Sequence, residues 1–348
     1  MKVTILVDNR LPSPKANPDI SVGSTPVIYM GHPSGSVPEN HSGFRTEPAA
    51  DGSYLEALSN SISKASLEVN PDSELESEHG LSIFIETDGG VRILMDMGAS
   101  GLFMKNAKRL GIDLCRLDFA VLSHGHSDHT GGLRPFLEAH RDISVLMSDK
   151  IFGYKYYSNR PHENDSKSRG KASMRDISTD QSIPSDFKEA PLVGVCQNIW
   201  LSPNIALITD LSGADSVPEG DSHLFMAPAD EADNKTLDNF AHELALAIVS
   251  KGSLVIFSPC SHNGATNIIQ ACQRFTGIKQ VKAFIGGLHL VQHASTKEEA
   301  ESLGEMVSTR YPNTRFITGH CTCDPAMESL VHTNLRVENF WTGRTFEI

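Results

Sequence analysis

Between residues 123 and 133 the chain reads Ser123-His124-Gly125-His126-Ser127-Asp128-His129-Thr130-Gly131-Gly132-Leu133. Three imidazoles and a carboxylate fall within six residues, and donors at that density point to metal chemistry rather than to isolated polar histidines. In an extended segment alternate side chains point the same way, so His124 and His126 can offer their rings to one cation. Asp128 and His129 fall where the chain turns into the next helix and can face a second cation beside the first. One loop thus supplies four ligands, half of a binuclear site. The glycines at 125, 131 and 132 are expected to let the backbone pass close to the metals and turn sharply.

Such a loop has to be held by regular elements. The apolar run 119–122 reads as a buried strand ending one residue before the motif, and 132–140 reads as the helix that follows it. Residues 81–87 and 91–95 flank Asp88-Gly89-Gly90 as a β-hairpin. Further strands are expected at 1–8, 143–147, 205–208, 244–249, 254–258, 281–285 and 315–318, and helices at 103–110, 265–275, 297–309 and 325–331. Mixed strands and helices in two halves predict two sheets with helices outside them.

At the histidine loop the sequence resembles the metallo-β-lactamase superfamily, whose signature His-x-His-x-Asp-His is present in full. That resemblance implies an α/β fold, a four-layer αββα sandwich of two mixed sheets with helices outside. It extends to a subfamily typified by the archaeal dihydropterin-ribofuranosylaminobenzene 5′-phosphate synthase. The matching blocks are Ile5-Leu6-Val7-Asp8-Asn9, Glu78-His79-Gly80-Leu81-Ser82, Ile93-Leu94-Met95-Asp96-Met97-Gly98, Pro259-Cys260-Ser261-His262-Asn263-Gly264, Gly286-Gly287-Leu288-His289-Leu290 and His320-Cys321-Thr322-Cys323. The chain departs from the usual Asp-Thr-Gly at Asp96-Met97-Gly98, which removes a hydroxyl but keeps Asp96. A buried carboxylate behind the loop could fix an imidazole tautomer through its other nitrogen. A turn aspartate capping the hairpin exit is the alternative.

The resemblance implies that the remaining ligands come from the C-terminal half. His262 and His320 each follow an apolar strand, where a sandwich would bring them beside the first loop. Cys260 stands where many superfamily members place a bridging aspartate, and could bind zinc as a thiolate or stay a buried inert thiol. His242 occupies the approximate place of another superfamily ligand. His289 is expected to face substrate as a proton donor, with a metal role as the alternative. His79 could reach the same cleft or cap a strand. Cys321 and Cys323 form only a Cys-x-Cys, weak evidence for a metal by itself.

The expected cofactors are two divalent metal ions, zinc before iron or manganese, because imidazole-rich sites suit zinc. The expected reaction is hydrolysis by a hydroxide generated on the metals, with Asp128 both binding a metal and orienting the nucleophile and His289 assisting the leaving group. A phosphodiester, phosphorylated metabolite or small ester is the substrate class that the subfamily likeness implies. A pterin-type condensation displacing pyrophosphate is the enzyme alternative, and a metal-retaining binding or regulatory protein the non-enzyme one. His126 argues against the flavodiiron branch, where a glutamate commonly stands.

The 348 residues carry 30 Lys+Arg against 43 Asp+Glu, a net charge of −13, which disfavours a nucleic-acid partner bound through a broad basic surface. Lys150, Lys155, Arg160, Lys167, Arg169 and Lys171 form a local basic run, which reads first as a solvated insertion. No apolar run reaches membrane-spanning length, and the opening one is too short for a signal core, so a cytoplasmic protein is expected, with thiols reduced and homo-oligomerisation open. A single domain over 1–348 is expected, with polar insertions at about 10–78, partly helical near 54–67, and about 154–191.

Overall fold

The computed structural model describes residues 1–11, 75–160, 174–333 and 336–348. The helix expected near 54–67 and the basic residues Lys167, Arg169 and Lys171 lie outside the described residues.

Two seven-stranded sheets form the body of the protein. The first runs, edge to edge, Thr345–Glu347, Lys2–Val7, Ser82–Glu86, Arg92–Met95, Phe119–Leu122, Val145–Ser148 and Leu192–Val195. It is antiparallel as far as Arg92–Met95 and parallel beyond it. The second runs Val337–Asn339, Arg315–Thr318, Val281–Ile285, Ser253–Phe257, Ala245–Ser250, Ile205–Ile208 and Ile199–Ser202. Its first four strands are parallel and the rest antiparallel.

Strand periodicity explains the layering. Along Ser82–Glu86 and Arg92–Met95, Ile83, Ile85, Ile93 and Met95 point between the sheets and meet Leu246, Ile248, Val255, Phe257 and Ile285 of the second sheet. The alternate residues Phe84 and Leu94 point outward, where Phe103 of helix Leu102–Arg109 and Leu133, Phe136 and Leu137 of helix Leu133–Ala139 cover them. On the far side, Ala245, Ala247, Leu254 and Ile256 are covered by Ile268, Ile269 and Cys272 of helix Ala265–Thr276, with Ala300, Val307, Ala326 and Leu330 from helices Thr296–Arg310 and Asp324–His332. Away from the exposed edge strands Leu192–Val195 and Ile199–Ser202, both faces of each sheet are buried, so the inner strands read as continuous apolar runs rather than as alternating ones. The result is the expected four layers, helix, sheet, sheet, helix.

A third, four-stranded antiparallel sheet was not anticipated. It orders Thr236–Leu237, Leu224–Pro228, Tyr154–Ser158 and Arg175–Asp176. Part of the polar stretch at 154–191 is therefore regular structure, paired with a second segment, 224–237, that the sequence left unassigned. Hydrogen bonds tie this flap to the histidine loop: Ser127 N–H donates to Ile177 O at 2.8 Å, and Thr179 N–H and Oγ1–H donate to Gly125 O at 3.1 and 2.9 Å.

Candidate metal centre

Strand Phe119–Leu122 ends directly beneath the motif. His126 keeps extended backbone, φ −82° and ψ 143°, and the chain then turns into the short helix Ser127–Thr130, which carries Asp128 and His129. His124 and His126 do project together, with ring centroids 4.6 Å apart. The glycines serve a different purpose from the one expected. Gly131 and Gly132 have ordinary negative φ, but an added Cβ would sit 2.2 Å from Ala99 O at Gly131 and 2.1 Å from Met97 O at Gly132. At Gly125 it would meet the Tyr156 ring at 2.4 Å. They allow close approach of backbone and flap rather than passage beside a metal.

The second sheet delivers the partners. His262 follows strand Ser253–Phe257 and His320 follows Arg315–Thr318, each in the loop after a strand end. The His262 ring lies 4.9 Å from that of His124 and 5.1 Å from that of His126. The Nε2 atoms of His124, His126 and His262 are all buried and have no hydrogen-bond partner. Three bare imidazole nitrogens in one buried pocket are costly unless something occupies the space between them.

The second group is tighter. His129 Nε2 lies 3.0 Å from His320 Nε2, and Asp128 Oδ2 lies 3.7 Å from the first and 3.4 Å from the second. Ligand atoms on a tetrahedral ion with bonds near 2.1 Å stand roughly 3.4 Å apart, so this spacing fits a divalent metal. Cys260 Sγ, 3.1 Å from His129 Nε2, falls in reach of both groups, with His124 and His262 on one side and His129 and His320 on the other. It sits 3.5 Å from Cys321 Sγ.

The backs of four of these rings, His124, His129, His262 and His320, are fixed. Asp96 Oδ2 lies 2.7 Å from His129 Nδ1 and also accepts Ser123 Oγ–H at 2.6 Å. That hydroxyl has one proton, already given to Asp96, so Ser123 Oγ must accept from His124 Nδ1–H at 2.8 Å. Asn9 Oδ1 meets His320 Nδ1 at 3.0 Å and Asp221 Oδ1 meets His262 Nδ1 at 2.9 Å. In each case the proton on Nδ1 leaves Nε2 free to ligate.

Electrostatics agree with that assignment for His124, His262 and His320. Burial and the neighbouring imidazoles hold His124 and His262 well below the ordinary histidine range, and burial takes His320 down to about 4, so all three rings are neutral. Burial also lowers His129, but the charges of Asp128 and Asp96 outweigh it and push the ring up to about 9. Burial raises Asp128, yet His129, His320 and His79 hold it well below the usual carboxylate range. His129 and Asp128 thus form an ion pair that a cation would replace.

The remaining expected residues fall around this centre in different ways. Both nitrogens of His242 are engaged: Nδ1 accepts Gly125 N–H at 2.9 Å and Nε2 lies 3.1 Å from Asp238 Oδ2. His289 is in the pocket, its Nδ1 2.5 Å from Asp221 Oδ1 but out of line for a hydrogen bond, and its Nε2 3.0 Å from Arg160 Nη2. His79 is mostly solvent-exposed, with Nε2 3.5 Å from Asp128 Oδ2. Cys323 immediately precedes the helix Asp324–His332, without a side-chain capping bond, and packs against the apolar layer.

Several functional groups escaped the sequence reading. Asp238 stands 3.7 Å from His126 Nε2. Glu243 accepts the backbone N–H groups of His262 and Asn263 at 2.9 and 2.8 Å, holding the ligand loop. Asp8 accepts His320 N–H at 2.9 Å. His320, His289, Asp96 and Ser261 all have positive φ, between 50° and 63°, a conformation that non-glycine residues adopt rarely and that clusters here at the site. The quoted block Ile5-Leu6-Val7-Asp8-Asn9 carried a signal for Asp8 and Asn9, and Glu243 stands next to His242, which was singled out without it. Asp221 and Arg160 lie in polar stretches with none, and Arg160 corrects the reading of its basic run, because its side chain turns inward to His289 instead of lying on a solvated face.

Comparison with known proteins matches residues 77–194, which hold the histidine loop and its strands, to the family model for the metallo-beta-lactamase superfamily. The chain carries a metallo-beta-lactamase superfamily domain. It is 29% identical over 258 residues to the 7,8-dihydropterin-6-methyl-4-(beta-D-ribofuranosyl)-aminobenzene-5′-phosphate synthase of Methanocaldococcus jannaschii, covering 71% of this chain and 81% of that protein. An uncharacterized protein of the same archaeon is 26% identical over 215 residues, covering 62% and 74%. Among solved structures, Tm1679, described as a metal-dependent hydrolase of the beta-lactamase superfamily, superposes with a TM-score of 0.64 at 20% identity, covering 100% of this chain and 99% of that one. That superposition shows that the metallo-beta-lactamase fold extends over both sheets, beyond the segment matched by the family model. The superfamily is metal-dependent, and the His and Asp clusters of this member supply suitable ligands. No helix among the described residues is long and apolar enough to cross a membrane.

Proposed function

We propose that this metallo-beta-lactamase superfamily member is a hydrolase working with two divalent metal ions, zinc by ligand chemistry, on a phosphodiester, a phosphorylated metabolite or a related small ester. The observation that carries the reading is the convergence of three buried, unpartnered Nε2 atoms, from His124, His126 and His262, beside the His129, His320 and Asp128 group. In this reading the first trio holds one ion and the second trio the other, with Cys260 between them. Bound there, a metal pair acidifies water and polarises a phosphoryl or carbonyl oxygen.

The chain's own residues do the rest. Asp96, Ser123, Asn9 and Asp221 fix the ligand tautomers. Asp128 keeps its charge and orients the attacking group. His289 accepts from Arg160 Nη2–H through Nε2, with Asp221 beside its Nδ1, so it would hold a proton for the departing oxygen only once Nε2 is released from the guanidinium. His242 and Asp238 brace Gly125 and His126 rather than ligate. The flap sets the Tyr156 ring against His126 and His242 on this side.

The test is metal content by elemental mass spectrometry on protein purified without added metal, together with a phosphodiester and ester hydrolysis screen. About two equivalents, with turnover lost on chelation, is the expected result. Less than about half an equivalent after reconstitution, in a folded protein, overturns the reading. A second reading, a condensing synthase in which pyrophosphate rather than an alcohol departs, is favoured by the name of the archaeal relative and its 29% identity. Pyrophosphate release that requires an added amine acceptor would decide for it.

A further inference from the structure

We propose that Arg160 is the anion-recognition residue of this site and that the substrate carries a phosphate or equivalent oxyanion. The inference rests on the metal-dependent reading above and deepens it.

Arg160 follows flap strand Tyr154–Ser158, where that strand leaves its partner Leu224–Pro228. The flap therefore brings a guanidinium to the pocket from outside the two-sheet body. Its Nη2 donates to Gly220 O at 2.9 Å and lies 3.0 Å from His289 Nε2, while its Nε is buried with no hydrogen-bond partner. A side chain at 220 would crowd this arrangement, since a Cβ there would fall 2.4 Å from Val291 Cγ2 and 3.4 Å from Arg160 Nη2.

Among the described residues no carboxylate lies within ion-pair distance of Arg160, whereas several other part-buried or buried arginines have one. Arg315 pairs with Glu338 at 2.9 Å, Arg344 with Glu338 at 2.6 Å and Arg10 with Asp324 at 2.6 Å. A half-buried guanidinium whose contacts among the described residues are one carbonyl and one neutral ring keeps three of its five donors for another acceptor. Asp221, whose charge reaches Arg160, turns Oδ1 to His262 and His289 and stays outside ion-pair distance of the guanidinium. An oxyanion such as phosphate matches these donors, and because Nη2 already gives one proton to Gly220 O and one to His289 Nε2, a two-point contact through Nε–H and Nη2–H would take over the proton now given to His289.

Position decides what the anion belongs to. Through His289, Asp221 and His262, Arg160 is joined by contacts of 3.0, 2.5 and 2.9 Å to a residue of the metal pocket. An oxyanion held by this guanidinium therefore lies beside the reacting centre. A substrate that places a phosphate there uses it either as the reacting group or as a neighbour of it, and an uncharged ester has nothing to offer Arg160.

The test titrates inorganic phosphate into zinc-loaded wild type, Arg160→Lys and Arg160→Ala by calorimetry, with zinc content measured on each sample. Expected is saturable phosphate binding by wild type, about tenfold or more weaker in Arg160→Ala, with Arg160→Lys in between because a point charge replaces the fork, and zinc content equal in all three. Equal phosphate affinity in wild type and Arg160→Ala at equal zinc content overturns the anion assignment and leaves the metal reading standing. Absence of zinc from wild type overturns both. A variant that loses zinc along with phosphate affinity makes Arg160 a support for His289 and the pocket, and overturns its role as the anion's partner.

Discussion

Asp96 and His124 do not touch, yet Ser123 connects them: its hydroxyl donates to Asp96 Oδ2 at 2.6 Å and accepts from His124 Nδ1 at 2.8 Å. The same carboxylate oxygen lies 2.7 Å from His129 Nδ1. One buried carboxylate therefore sets the tautomers of a histidine in each half of the site. Asp96→Asn would place either an amide N–H or a weaker acceptor before two donors. The expected outcome is a loss of about 10–100-fold in zinc affinity with the fold retained, read by competition with a chromogenic chelator. Unchanged affinity would show that Asp96 only terminates the hairpin.

The division into two trios predicts the stoichiometry of single variants. His126→Ala removes a ring from the first trio, and His320→Ala removes one from the second. Each should lower bound metal from about two equivalents to about one, and the double variant should retain less than either. Elemental analysis of the purified proteins checks this. Loss of both ions from either single variant would mean one coupled centre.

Asp221 gives the metal-free protein a pH signature. Burial, and then the charge of Glu243, push its carboxyl up to about 9 although Arg160 opposes the shift. Its folded pKa exceeds the unfolded value, so the folded state binds the extra proton. The contribution of this group to stability is full below pH about 4 and falls as pH rises toward about 9. Asp221→Asn in chelated protein should flatten that part of the profile, making the variant less penalised than wild type at pH 8 than at pH 5 in urea unfolding. A constant offset between the two proteins across that range would refute it.

Gly132 tests the packing behind the loop. A methyl there would lie 2.1 Å from Met97 O and 2.4 Å from Ser100 O, and both are backbone atoms with little freedom to retreat. Gly132→Ala should cost about 1–3 kcal/mol of stability by urea denaturation. Gly89→Ala, whose nearest neighbour would be Thr87 Oγ1 at 3.9 Å, should stay within about 0.5 kcal/mol.

What the sequence determined by itself was the part governed by local chemistry. Donor spacing in 124–129 announced a candidate ligand loop, because alternate side chains of an extended chain share a face, and continuous apolar runs such as 119–122 announced strands buried on both faces. The resemblance supplied His262 and His320, and the structure brings both to the loop. What only the tertiary structure decided was which side chains stand behind and above the ligands. Asp221 and Arg160 come from polar segments with no periodicity, and they reach the site because Leu224–Pro228 pairs with Tyr154–Ser158, a contact between residues about seventy positions apart. The three glycines of the loop show the same limit. Their need for space arises from Met97, Ala99 and Tyr156, neighbours that only the folded chain brings within reach.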